Sequence, residues 1–263
     1  MDAANATCCG FRAQTAELKG RAVFVPLYDY NPLRYVPRPY VTYLLIAANV
    51  FVFVVFQSDL VLQIGDRAAI LFGVTPAEIG VGARLPRGYG ALPEEVTLVT
   101  YMFLHGGWLH LIGNMLFLWV FGDNVEDAMG HLRFLAFYLL CGIAGGLAHY
   151  FSMRSSNIPL VGASGAIAGI IAAYLMLHPS AKLWVLAFGR IPLKLSAMWV
   201  LGAWVVVQII NILANTEDDT SWWGHAGGLI AGAVLIPFMR RPGVELFDRA
   251  PEPARVDRPR VEP

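Results

Sequence analysis

Leu160-Val-Gly162-Ala-Ser164-Gly165-Ala-Ile-Ala168-Gly169-Ile-Ile-Ala-Ala-Tyr-Leu-Met-Leu177 is an uncharged apolar run with a serine close to its start. A second run, Trp222–Met239, carries His225 close to its start. One further apolar run, Leu195–Ala214, lies between them. If each crosses a membrane, the serine-bearing and histidine-bearing helices run in the same direction. A potential nucleophile and a potential base then share one end of two parallel helices, which points to serine chemistry inside a bilayer.

The rest of the composition fits that setting. The chain has 263 residues, of which 57% are hydrophobic and 14% charged, with a mean hydropathy of +0.56. A soluble domain carries about 25% charged residues. Here the charges gather in the tails and connections, the pattern of a polytopic membrane protein. The formal net charge is zero, which gives no case for a nucleic-acid partner. Three cysteines, with Cys8 and Cys9 adjacent and Cys141 in an apolar run, make neither a disulfide framework nor a zinc site. No metal or cofactor is expected, and residues 1–39 show no secretory signal.

Six spans can be read: Tyr40–Phe56, Trp108–Phe121, Leu132–Phe151, Leu160–Leu177, Leu195–Ala214 and Trp222–Met239. A span needs roughly 20 apolar residues. The second is short and is expected to extend back through Tyr101–Leu104. The chain thus divides into an N-terminal tail (1–39), an all-α six-helix membrane domain (40–239) and a disordered C-terminal tail (240–263). Arg12, Lys19, Arg21, Arg34 and Arg38 precede the first span, Lys182, Arg190 and Lys194 lie between the fourth and fifth, and Arg240 and Arg241 follow the sixth. These cations fall on one side if both termini are cytoplasmic. Glu217, Asp218 and Asp219, with no cation, follow the fifth span. Arg67, Arg84 and Arg87 in the first connection weaken the contrast. That connection, about residues 57–107, reads as a folded loop with short helices, partly sunk in the interface. The charge pattern and short tails point to a bacterial inner membrane.

In this topology spans two, four and six share a direction. Ser164 and His225 lie roughly 5–8 Å below their spans' outer ends at about 1.5 Å per residue. His110 and Asn114, four residues apart, share a face of span two. Polar groups at such depth must face protein or water. Gly165 and Gly169 in span four, and Gly224, Gly228 and Gly232 in span six, form small-residue stripes that let helices pack closely. Packing along them brings His225 within reach of Ser164. His225 can then deprotonate Ser164, and His110, Asn114 and the Ser164 backbone N–H can stabilise an oxyanion. No Asp or Glu lies at this depth, so a dyad is expected rather than a triad. Each residue also has a plainer reading. Gly162 through Gly165 could serve helix packing alone, and His225 could hydrogen-bond a neighbouring helix. His110 and Asn114 could tie helices together. His105 reads as a structural hydrogen-bonder and Glu126 as a structural carboxylate in the turn after span two.

At these residues the chain resembles the rhomboid intramembrane serine proteases. The resemblance rests on His105-Gly-Gly-Trp-Leu-His110-Leu-Ile-Gly-Asn114, Gly162-Ala-Ser164-Gly165, His225-Ala-Gly-Gly228-Leu-Ile-Ala-Gly232 and the segment Phe121-Gly122-Asp-Asn-Val-Glu126, and it covers about residues 40–239. It implies a six-transmembrane-helix bundle with Ser164 as nucleophile, His225 as general base, and His110 and Asn114 supporting the oxyanion. It implies transmembrane-protein substrates cleaved near their outer ends, and a fifth span that acts as a lateral gate. Some members place a tyrosine four residues after the serine, stacked on the histidine. Here that residue is Ala168, which leaves Trp222 or Trp223 to hold His225, or leaves the ring less constrained. Two other classes remain open: a non-catalytic membrane-helix binder on the same fold, and a transporter or channel, for which the inner halves of the spans supply few ionisable residues.

Overall fold

The structure, a computed structural model, describes residues 24–62, 64–79, 93–187, 189–216 and 220–248. Eight helices and three strands follow in the order β1 (Phe24–Asp29), α1 (Tyr40–Val52, continued as a wide turn through Gln57), α2 (Gly65–Phe72), α3 (Glu94–Thr100), α4 (Trp108–Met129), α5 (His131–Ser152), α6 (Ser164–Leu177), β2 (Lys182–Ala187), β3 (Ile191–Ser196), α7 (Ala197–Leu213) and α8 (Trp222–Met239). Residues 1–23 and 249–263 of the expected tails, the Glu217-Asp218-Asp219 run, and Arg84 and Arg87 lie outside the described residues.

The helices form one membrane bundle around α6. Every residue of α6 from Gly165 to Tyr174 is buried, as expected of a helix that is apolar all round. Among the described residues, three helical segments are long and apolar enough to cross a membrane by themselves: Tyr40–Gln57, His131–Ser152 and Trp222–Met239. A fourth span is available if Glu95–Phe103 and Trp108–Met129, which meet at 90°, count as one. The shorter apolar helices are α6, with 14 residues, and α7, with 17. At 1.5 Å per residue α6 is about 21 Å long. Its middle is enclosed by neighbouring helices, so that stretch does not have to match the hydrocarbon thickness.

Several boundaries differ from the sequence expectation. Span two does not continue straight back through Tyr101–Leu104, because Gly106 and Gly107 break the chain there before α4 begins. It extends forward instead, so Phe121 through Glu126 is helix rather than turn. Glu126 is fully buried. Its carboxylate accepts hydrogen bonds from the backbone N–H groups of Val41 and Thr42 and from the Thr42 hydroxyl, and it pairs with His131 Nδ1. It thereby caps α1, which has no side-chain cap of its own.

The sequence reading named no strands, yet three form an antiparallel sheet in the order β1-β2-β3. Strand β2 pairs with β1 from Phe24↔Ala187 to Asp29↔Leu183, and with β3 from Lys182↔Ser196 to Ala187↔Ile191. The cationic connection after α6 is thus a hairpin that recruits residues 24–29 from the supposed tail. Asp29 at the end of β1 accepts hydrogen bonds from Asn124 on α4 and Tyr174 on α6, anchoring the sheet to the bundle. The first nine residues of the supposed C-terminal tail, 240–248, fold back under the helices. Arg241 N–H bonds the Ala128 carbonyl, and the Phe247 and Asp248 N–H groups bond the Met176 and Leu177 carbonyls, covering the open carbonyl ends of α4 and α6.

Candidate active site

Glycine determines how close α6 and α8 come. A Cβ on Gly228 would overlap the Gly165 carbonyl oxygen, and one on Gly232 would overlap the Gly169 carbonyl. The pairs 165↔228 and 169↔232 advance together along both helices, so α6 and α8 run parallel. One turn earlier, a Cβ on Gly165 would stand 3.4 Å from the Gly224 carbonyl oxygen. Ser164 precedes Gly165 and His225 follows Gly224, so each is one residue from that contact, at the same end of the seam. Helix α5 joins there through a glycine stripe the sequence reading passed over. A Cβ on Gly145 would lie 2.8 Å from the Gly224 carbonyl and 3.2 Å from the Gly165 Cα. The stripe Gly142, Gly145 and Gly146 was visible in the sequence at the same spacing as the stripes that were read.

Ser164 is the first residue of α6, with Ala163 as the cap. It therefore lies at the mouth of the helix rather than several residues inside the span. Its N–H belongs to the first turn, where backbone donors have no intrahelical partner and the helix dipole favours negative charge. His225 sits in the first turn of α8 and is buried. Ser221 caps α8 by accepting from the Gly224 N–H, and its hydroxyl also lies 2.8 Å from His149 Nδ1 at the end of α5.

The second helical face is α4. The Gly106 N–H donates to His110 Nδ1 at 3.3 Å. That bond places the acceptor lone pair of the His110 ring on Nδ1 and its proton on Nε2. Nε2 points at Gly162, where a Cβ would lie 2.9 Å from it and 2.8 Å from Cε1. Gly162 also has φ = +129°, a conformation that L side chains avoid. Glycine is thus required at position 162 on two counts. The Asn114 side chain reaches the same place: its Nδ2 would be 3.7 Å from a Gly162 Cβ. This nitrogen is buried and has no hydrogen-bond partner among the described residues. A buried unpaired donor is uncommon and calls for an explanation. Two donors therefore converge beside Gly162, two residues before Ser164.

The remaining residues support this arrangement. His105 bonds through its backbone: its N–H donates to Gln57 Oε1 at 2.8 Å, and its carbonyl accepts from Gln57 Nε2 at 2.9 Å. Its ring packs edge-on against His110, with centroids 5.2 Å apart. The residue that sequence reasoning missed is Gln208 on α7, whose Oε1 lies 2.8 Å from His225 Nδ1. Trp204, one turn earlier, places its ring 5.7 Å from the imidazole at 37°. Trp222 meets the imidazole edge-on at 6.1 Å. Ala168 faces α8 instead, and its Cβ would stand 3.3 Å from a Cβ on Gly228. Only the single polar position in a Trp-Val-Val-Val-Gln-Ile-Ile run could have pointed to Gln208.

Residues 93–242 match the model of the Rhomboid domain. Among curated proteins, the chain is 33% identical over 218 residues to the rhomboid protease GluP of Bacillus subtilis, covering 81% of this chain and 37% of that one. It is 27% identical over 222 residues to RHOMBOID-like protein 5 of Arabidopsis thaliana, covering 76% of this chain and 70% of that one. It is 31% identical over 160 residues to the mitochondrial presenilin-associated rhomboid-like protein A of Danio rerio, covering 59% and 39%. The chain thus spans well under half the length of two of these three relatives.

Proposed function

We propose that this chain, which belongs to the rhomboid family, is an integral membrane serine endopeptidase that cuts transmembrane helices near their outer ends. In this reading Ser164 is the nucleophile and His225 the general base. The observation that carries it is the convergence of His110 Nε2 and the unpaired Asn114 Nδ2 beside Gly162, two residues before Ser164, at the end of the glycine seam where His225 stands. His225 takes the Ser164 proton as the hydroxyl oxygen attacks the scissile carbonyl. The carbonyl oxygen becomes an oxyanion, and His110, Asn114 and the Ser164 N–H donate to it. One such donor contributes about 3–4 kcal/mol to the transition state. When the intermediate collapses, His225 returns the proton to the leaving amine, and water then hydrolyses the acyl-serine by the same route. The site needs no metal or cofactor.

The same reading places six helices across the bilayer, with α6 and α7 as short internal or tilted spans and both termini on the cytoplasmic face. It favours a bacterial inner membrane, in line with the loop charges and the Bacillus relative. The test is labelling of the detergent-solubilised protein with a fluorophosphonate probe, beside Ser164→Ala and His225→Ala. Wild type should label at Ser164, neither variant should label, and both should fold. Continued cleavage of a model transmembrane substrate by Ser164→Ala would overturn the assignment. Wild type that binds a substrate helix without turnover would place the chain among non-catalytic binders.

A further inference from the structure

We infer that Gln208 is a positioning residue for His225, so that α7 completes a Ser164–His225–Gln208 arrangement in which a neutral amide stands where an acid would be in a triad. The inference rests on the catalytic reading of His225, but its structural part can be tested without activity.

The first observation is burial. Along residues 204–213 of α7, Gln208 alone is buried, with 3% of its surface exposed. Its neighbours Val206, Val207, Ile209 and Ile210 are exposed apolar residues, as suits a helix that faces lipid. An amide sheltered from water on such a helix is costly unless both its ends are bonded. Both are. Nε2 donates to the Trp204 carbonyl at 3.1 Å, and Oε1 lies 2.8 Å from His225 Nδ1.

The second observation fixes the direction of that bond. The Trp204 carbonyl can only accept, so the amide nitrogen must face it. Turning the amide over would set two oxygens against each other. Oε1 therefore faces His225, and an oxygen without a proton can only accept. His225 must carry its proton on Nδ1, which leaves the lone pair of the neutral ring on Nε2. That is the tautomer a general base needs if Nε2 is to take a serine proton. The Trp204 ring against the imidazole, from the same turn of α7, limits rotation of the ring. On α6, Ala168 lies against Gly228 and its side chain ends at Cβ. Support for the histidine comes from α7, through Gln208 and Trp204.

An amide sets tautomer and orientation, but it gives the imidazolium no charge partner. The informative variants are therefore Gln208→Leu, of similar size but without hydrogen bonds, and Gln208→Glu, which restores the acceptor. The primary readout is 15N NMR of histidine-labelled protein, with the His225 signals assigned by comparison with His225→Ala. Wild type should show the Nδ1–H tautomer, and Gln208→Leu should lose it. In parallel, fluorophosphonate labelling and kcat should fall about tenfold to a hundredfold in Gln208→Leu with KM nearly unchanged, because the loss is in the chemical step. Gln208→Glu should recover most of the rate. A His225 protonated on Nε2 in wild type would overturn the inference, and so would a Gln208→Leu protein with unchanged tautomer and labelling. If the wild-type tautomer depends on Gln208 but the probe never labels Ser164, the positioning stands and the protease reading falls.

Discussion

The Gly228 backbone on α8 lies directly against the Gly165 carbonyl on α6, with no room for a methyl group between them. Ser164 and His225 are anchored within one turn of this contact, so the seam sets their separation. In Gly228→Ala the helices must part or tilt. Overpacking of this kind costs about 1–3 kcal/mol, and we expect a lower unfolding midpoint in detergent together with severe loss of probe labelling at Ser164. Gly202→Ala on α7 is the control, since nothing lies within 4 Å of a Cβ there. Equal behaviour of the two variants would show that the seam does not set the site.

Gly162 places the loop before α6 against the two α4 donors. Gly162→Ala meets both a left-handed φ of +129° and the His110 ring, so it should displace the loop and lower kcat at least about a hundredfold. Asn114→Ala removes one donor without touching the backbone. Losing a single oxyanion donor costs about 10²–10³ in kcat, and we expect that loss with KM within about twofold. A large change in KM with kcat preserved would assign Asn114 to substrate binding instead.

The seam was legible because small residues at positions 165, 169, 224, 228 and 232 repeat at helical spacing, and lipid-buried helices use such repeats to approach. Ser164, His225, His110 and Asn114 stood out as polar groups in apolar runs. The sheet escaped because Phe24–Asp29 gains strand order only from β2, more than 150 residues away, and single-segment pattern cannot register a distant partner. Gln208 escaped because its role depends on the rotation of α7 about its axis, which apolar composition does not encode. Run length alone also gave no sign that α6 is only 14 residues long and enclosed by protein, so that its apolar character comes from burial in the bundle.

Glu126 caps α1 from α4, and α1 has no acidic residue in its first turn. Glu126→Gln keeps the shape but replaces one carboxylate oxygen with an NH₂ group, which faces the N–H donor of either Val41 or Thr42, and it removes the charge. Hydrogen bonds to a charged group contribute about 1.5–3 kcal/mol each, so a drop of several degrees in the unfolding midpoint is expected. The site is remote from this cap, so probe labelling per folded molecule should match wild type. Unchanged stability would show that the carboxylate is replaceable as a cap.

Asp29 ties the sheet to the bundle and is buried at 7% exposure. Burial pushes its carboxyl up to about 7, nearby Asp123 adds to the rise, and the Tyr174 hydrogen bond opposes it. The folded state therefore holds this proton more tightly than the unfolded chain, whose carboxyl titrates near 3.8. Stability from this group is fully present below about pH 4 and is lost as pH rises through about 7. Wild type should thus unfold at a higher temperature at pH 5 than at pH 7.5. Asp29→Asn keeps an acceptor for the Asn124 and Tyr174 donors without a charge, so it should remove that part of the slope and be at least as stable as wild type at pH 7.5. The decisive quantity is the difference in midpoint between variant and wild type, which should grow from pH 5 to pH 7.5. A constant difference would mean that Asp29 keeps an ordinary carboxylate in the folded protein, and the sheet would then be held to α4 and α6 by an ionised anchor.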